Sequence, residues 1–287
     1  MPTRTKTSAD KAEPLEKSKI LSVSCEISDA YSGISGREHS MPRIITLSNA
    51  VDPKSDYGQV ERAECLDMLR RGYDGEYKYS ATEGGRVFVN DYDDYSRVKQ
   101  TLSHEFVHHV RRVGGASSEF DAVDSIGITK LSVIRSLEEG CAVFMQGAYC
   151  MQGRKDPESV LDAVFEVFDS KAIAMLPQTY RMVKEEGISV KFSSEVSNDA
   201  LASIIGTHGN ISFNENNSFK SNLYSAGTSF AAIVYAANEF DFDLTGKKLL
   251  TNTFDELKRE LREAAGRADV EDAINSISNK LKDKRQS

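Results

Sequence analysis

The run Ser103-His104-Glu105-Phe106-Val107-His108-His109 holds the residues best suited to chemistry. Histidines four residues apart fall on one face of a helix, about 5–6 Å apart at Cβ, so both imidazoles can reach a single ion. Glu105 sits beside them, within reach of a water at that ion as its general base. Imidazole and carboxylate donors with one position left open describe catalytic zinc, so Zn2+ is the expected ion. With five histidines in the chain, a chance His-Glu-x-x-His is about a one-per-cent event by composition. His109 lies about 100 degrees round the helix from His108. It is expected at the surface or behind the ligand histidines, not on the metal.

Two histidines do not complete a catalytic zinc site, so a third donor is required. Glu138 and Glu139 are adjacent acids inside the otherwise apolar run 136–144. Charged side chains in such a run are rarely buried unless paired or metal-bound. The alternative is a solvated helix start, where the dipole favours acids. Residue types alone leave that choice open. His208, in Thr207-His208-Gly209-Asn210, could orient substrate, although His beside Gly and Asn usually marks an exposed loop. Asp121 and Asp124 are candidates to accept from the outer ring nitrogens of the metal histidines, a common arrangement around bound imidazole. Cys141 reads as a small packing residue and not as a nucleophile.

The elements that must position these groups follow from periodicity. Val98, Leu102, Phe106 and Val110 recur at four-residue steps and predict a helix over 95–112, closed by Gly114-Gly115. Upstream, 43–47 (RIITL) is a β-branched strand, Gln59–Arg71 a helix stopped by Gly72, and 76–79 and 86–89 two short strands around Thr82-Glu83-Gly84-Gly85. Downstream, helices are expected over 134–150, Pro157–Phe168, 224–238, Phe254–Ala265 and 270–281. The polar stretch 188–221 is expected to be irregular or partly stranded. The predicted class is α+β: a small mixed sheet with the histidine-bearing helix, then a mostly helical half. The predicted division is a flexible tail over 1–20, a strand-bearing part over 21–113 and a helical part over 114–287.

At 287 residues the chain can bury a sizeable core, and its 39% hydrophobic and 28% charged content is ordinary for a globular protein. A net charge of −8 argues against a nucleic-acid partner. No run approaches the roughly 18 apolar residues of a membrane span. Residues 1–20 mix both charge signs and lack the apolar core of a signal peptide. Four scattered cysteines without a Cys-x-x-Cys pair read as reduced thiols, so the expected compartment is cytoplasmic.

His-Glu-x-x-His followed by Glu139-Gly140-Cys141-Ala142 and an aromatic resembles the gluzincins, zincin peptidases whose third zinc ligand is a glutamate. In the aminopeptidase N-like members that segment reads Leu-Asn-Glu-Gly-Phe-Ala. Aligned on Leu137-Glu138-Glu139-Gly140-Cys141-Ala142, the resemblance implies Glu139 as ligand and not Glu138. Tyr224-Ser225-Ala226-Gly227 resembles the family's Tyr-x-x-Gly, which implies Tyr224 as the hydroxyl donor to the oxyanion. Val87-Phe88-Val89-Asn90 resembles the edge strand that aligns an extended peptide, which implies Val87 and Val89 as substrate contacts. The Gly-x-Met-Glu-Asn clamp for a free amino terminus is absent, and Val143 stands where thermolysin-type enzymes carry an acid. The His108-to-Glu139 gap exceeds that of the aminopeptidases, which implies an insertion between them. The expected activity is therefore zinc-dependent cleavage of peptide or protein substrates, endopeptidase in preference to aminopeptidase. A catalytically silent zincin-fold binding protein and a structural zinc protein with a closed fourth position are the alternatives.

Overall fold

A computed structural model describes residues 13–52, 54–55, 57–117, 128–150, 156–168, 172–186 and 223–286. The described chain is mostly helical with one small mixed sheet, an α+β composition. It divides into two compact units, one of Met1–Asp29 with Met41–Phe106, the other of Ala30–Ser40 with Val107–Ser287. The line between them falls inside two continuous helices, α1 (Lys17–Ser35) and α4 (Tyr95–Val113).

The first unit is built on strands β1 (Arg43–Thr46), β2 (Gly75–Ser80) and β3 (Gly84–Val89), in the order β1-β3-β2. β1 runs parallel to β3, with Ile45 opposite Phe88; β2 runs antiparallel to it, with Tyr77 opposite Val87. The parallel pair needs a crossover, supplied by α2 (Leu47–Val51), α3 (Gln59–Arg71) and β2. Ile45, Leu47, Ala50, Cys65, Met68 and Phe88 form the core there, with Tyr57, Leu69 and Tyr73 packed on it. Asp91 follows β3 and is buried; it accepts from the Ser48 backbone N–H at 2.9 Å and from the Ser48 hydroxyl, tying the sheet's exit to α2.

α1 overturns part of the tail expected over 1–20. Its helix begins at Lys17, and Ile20, Val23, Ile27 and Tyr31 lie buried at helical steps. Such a stripe holds a helix whose outer face is mainly polar. The remainder of the expected tail, 1–12, lies outside the described residues.

The second unit holds α5 (Ile128–Cys150), α6 (Pro157–Phe168), α7 (Ala172–Glu186), α8 (Leu223–Ala237), α9 (Phe242–Thr251), α10 (Phe254–Ala265) and α11 (Ala268–Gln286). Within it α5 and α8 are buried along most of their described length; Phe144 of α5 meets Tyr235 of α8 edge-on at 5.2 Å between ring centroids. Asp241 caps α9 by accepting from Leu244 N–H at 2.9 Å. Thr253 and Glu256 form a reciprocal capping box on α10. The Tyr180 hydroxyl reaches the carbonyls of Ala264, Ala265 and Arg267, the last at 2.8 Å, fixing α7 to the end of α10. No described helix is long and apolar enough to cross a membrane.

Candidate metal centre

α4 runs from Tyr95 to Val113, and Gly115 follows at φ +79°, a conformation that favours glycine. Val98, Leu102, Phe106 and Val110 are buried, as their four-residue spacing predicts. The middle of α4 is buried on its polar side as well: Ser103, His104 and Glu105 are each at most 9% exposed. Polar groups held that deep require partners, because burial without them costs several kcal/mol, roughly 2–7 by transfer measurements.

His104, His108 and Glu139 each present a ligand atom, and these atoms lie within 4.8 Å of one another. His108 Nε2 is 3.6 Å from Glu139 Oε2. The other ring nitrogen, Nδ1, lies 3.2 Å from Glu138 Oε1. Glu138 is 4% exposed, and both of its oxygens are engaged. Ser117 Oγ donates to it from 3.0 Å, and Arg111 Nε donates to Oε2 from 2.6 Å. The two adjacent glutamates therefore divide their work, Glu138 toward His108 Nδ1, Ser117 and Arg111, Glu139 toward the histidine cluster.

Arg111 is fully buried. Its Nη1 donates to the Leu249 carbonyl and, at 3.2 Å, to that of Asn252, at the carboxyl-terminal end of α9. Its guanidinium lies 5.2 Å from the centroid of Phe254. Burial opposes charge on both Arg111 and Glu138, but their attraction holds the Glu138 carboxyl below its usual range and the guanidinium above its own. Burial likewise opposes charge on His108, but Glu139 and Glu138 together hold its imidazole up to about 10. The pocket of carboxylates thus favours a positive charge at this ring. A divalent cation satisfies that preference as a proton does, and must displace the proton to bind.

The donor set fits a metal ion. Two imidazoles and one carboxylate converge from a helical i, i+4 pair and a neighbouring helix, all in a protected setting. The remaining nitrogen of His108 is tied to a carboxylate, as metal-bound imidazoles generally are.

Gly140 and Gly227 explain two glycines of the sequence motifs. A methyl group on Gly140 would stand 2.1 Å from the Gly227 carbonyl oxygen, and one on Gly227 only 1.8 Å from that of Ser136. At this point α5 and α8 touch backbone to backbone, one residue from Glu139 and three from Tyr224. Tyr224 lies in the first turn of α8; its side chain is outside the described residues, as is the whole of His208, and Asp121 and Asp124 with it.

Other expectations change. β3 is the middle strand, not an edge: Val87 pairs with Ile44 and Tyr77, Val89 with Thr46 and Gly75, and both side chains are fully buried. Their backbones are used by the sheet on both sides, so they cannot also pair with a peptide. The edge strand beside α4 is β2. A Cβ on its first residue, Gly75, would lie 2.3 Å from Thr101 Cγ2 and 3.5 Å from Glu105 Cγ. His109 is not at the surface; it is 1% exposed, and its Nε2 donates to the Ser40 carbonyl at 2.5 Å. Cys141, by contrast, is the packing residue expected: it is buried, and desolvation pushes its thiol up to about 12. Arg111 and Ser117 were not anticipated. The available signal was Arg111's position, three residues after His108 and so on its side of α4.

Comparison with protein-family models, with curated proteins and with solved structures gives no match for this chain.

Proposed function

We propose that this protein is a zinc-dependent peptide hydrolase of the zincin type. The observation that carries the reading is the convergence of His104, His108 and Glu139 with Glu105 on the same buried stretch of α4. His104, His108 and Glu139 would hold the ion, and two imidazoles with one carboxylate favour zinc over magnesium or calcium, which prefer all-oxygen shells. When bound, zinc supplies Lewis acidity toward water and the scissile carbonyl.

The chain's own residues do the rest. Glu105 takes the proton of the attacking water and passes it to the departing amide nitrogen. Its place beside the first residue of edge strand β2 supports an extended peptide as substrate, because an edge strand can pair with a peptide backbone. Tyr224 serves as hydroxyl donor to the oxyanion. Its support is the Tyr-x-x-Gly resemblance together with the Gly227–Gly140 crossing, which brings the first turns of α8 to the stretch of α5 that bears Glu139.

The zinc-loaded protein is expected to cut an unstructured substrate such as casein, with new amino termini read by mass spectrometry, activity lost to a chelator and restored by zinc. No cleavage of casein or of a diverse peptide library would contradict the proposal. In the same assay Tyr224→Phe, which deletes one hydroxyl, is expected to lower kcat by about 10²–10³ with KM nearly unchanged. A kcat within a few-fold of the wild type would remove Tyr224 from the mechanism.

A further inference from the structure

Glu138 occupies a position that a simple three-ligand account leaves unused. It is a buried carboxylate met by three donor groups, and it touches a ligand histidine on the nitrogen away from the ligand cluster. A carboxylate ion only accepts hydrogen bonds. Its contact at 3.2 Å therefore requires the proton on His108 Nδ1, and Nε2 becomes the nitrogen whose lone pair can face a cation. Nε2 is also the nitrogen nearer Glu139. A neutral amide in the same place would not impose this, since it offers a donor as readily as an acceptor.

An extra buried negative charge beside a metal ligand is costly unless compensated. Arg111 is the compensation. It is as buried as Glu138, pairs with it through Nε at 2.6 Å, and is itself held by the Leu249 and Asn252 carbonyls at the end of α9. The end of α9 thus fixes the guanidinium, the guanidinium and Ser117 fix the carboxylate, and the carboxylate fixes the imidazole.

We propose that Glu138 is a positioning residue of the metal centre, holding His108 in the tautomer and orientation that bind the ion, and that Arg111 is the counter-charge that lets a buried carboxylate do so. This rests on the reading of His104, His108 and Glu139 as metal ligands. It extends that reading in two ways. Metal affinity depends on residues that never touch the ion, and the metal helix α4 is coupled to the junction of α9 and α10.

Single substitutions leave one buried charge without its partner and confuse affinity with stability, so the test uses the double variant Arg111→Met/Glu138→Gln. Removing both charges together is expected to leave the melting temperature of the metal-free protein close to that of the wild type. Its zinc affinity, measured by competition with a chromogenic chelator, is expected to fall about 10–100-fold. The cobalt(II)-substituted variant is expected to show a shifted visible absorption band, because His108 no longer holds a single orientation. Zinc bound equally tightly by wild type and double variant, with identical cobalt spectra, would overturn this inference and leave the metal site standing. Failure of the wild type to bind zinc or cobalt at all would overturn the metal reading, and this inference with it.

Discussion

Glu105→Gln is expected to bind zinc as the wild type does, to melt at nearly the same temperature, and to lose about 10²–10⁴-fold in kcat. The substituent is nearly isosteric, so the packing of Glu105 against β2 near Gly75 and Thr101 survives. What disappears is the capacity to accept a proton from water. Steady-state cleavage of a peptide that the wild type cuts, with metal content measured on the same sample, separates the two effects. A variant that turns over at the wild-type rate would show that another group is the base. A variant that loses both zinc and activity would show that Glu105 acts on the site's architecture and not on the proton.

Arg111→Met is expected to destabilise the metal-free protein by about 3–5 kcal/mol, because it strands the Glu138 carboxylate in the interior. Magnitudes separate this pair from the chain's surface ion pairs. Arg111 and Glu138 side chains are 0% and 5% exposed, whereas Lys280 and Glu158 are 61% and 48% exposed at the same 2.6 Å separation. Solvent screening leaves the surface pair worth about 0–1 kcal/mol. Urea denaturation of Arg111→Met beside Lys280→Met measures the contrast directly. A loss below about 1 kcal/mol for Arg111→Met would mean that the buried pair is not held as described.

The histidine helix was legible because its signals are local. Four-residue apolar spacing and the i, i+4 histidines need only a helix to be meaningful, and α4 spans Tyr95–Val113 against an expected 95–112. α3, α6 and α10 have the bounds that periodicity and end signals predict. Four described helices were not anticipated: α1, whose first residues fall in the expected tail, and α2, α7 and α9. α2 is only five residues long, too short for any period to register. α7 carries Pro177, a residue that penalises helix interiors. α9 places an Asp cap, two threonines and two lysines among four apolar residues, and is held through buried Thr245, Gly246, Leu249 and Leu250.

The middle position of β3 could not be read from Val87-Phe88-Val89. An apolar run says that a strand is buried but not which strands flank it, and the parallel partner β1 lies about forty residues upstream. The buried state of His109 was hidden for the same kind of reason. Its partner, the Ser40 carbonyl, is 69 residues away, beyond any local pattern. Glu138 and Glu139 show the boundary most clearly. Their adjacency within an apolar run marked them as paired or ligating, and the Glu-Gly-x-Ala resemblance chose Glu139 as the ligand, but the part Glu138 plays toward His108 shows only in the placement of Arg111 and Ser117.

Metal analysis of the purified protein tests the central claim most directly. One zinc per chain is expected in the wild type, with stoichiometric zinc lost in Glu139→Ala and a weakened but measurable site retained in Glu138→Ala. Unchanged zinc in Glu139→Ala, or a wild-type chain that takes up none when zinc is supplied, would contradict the account.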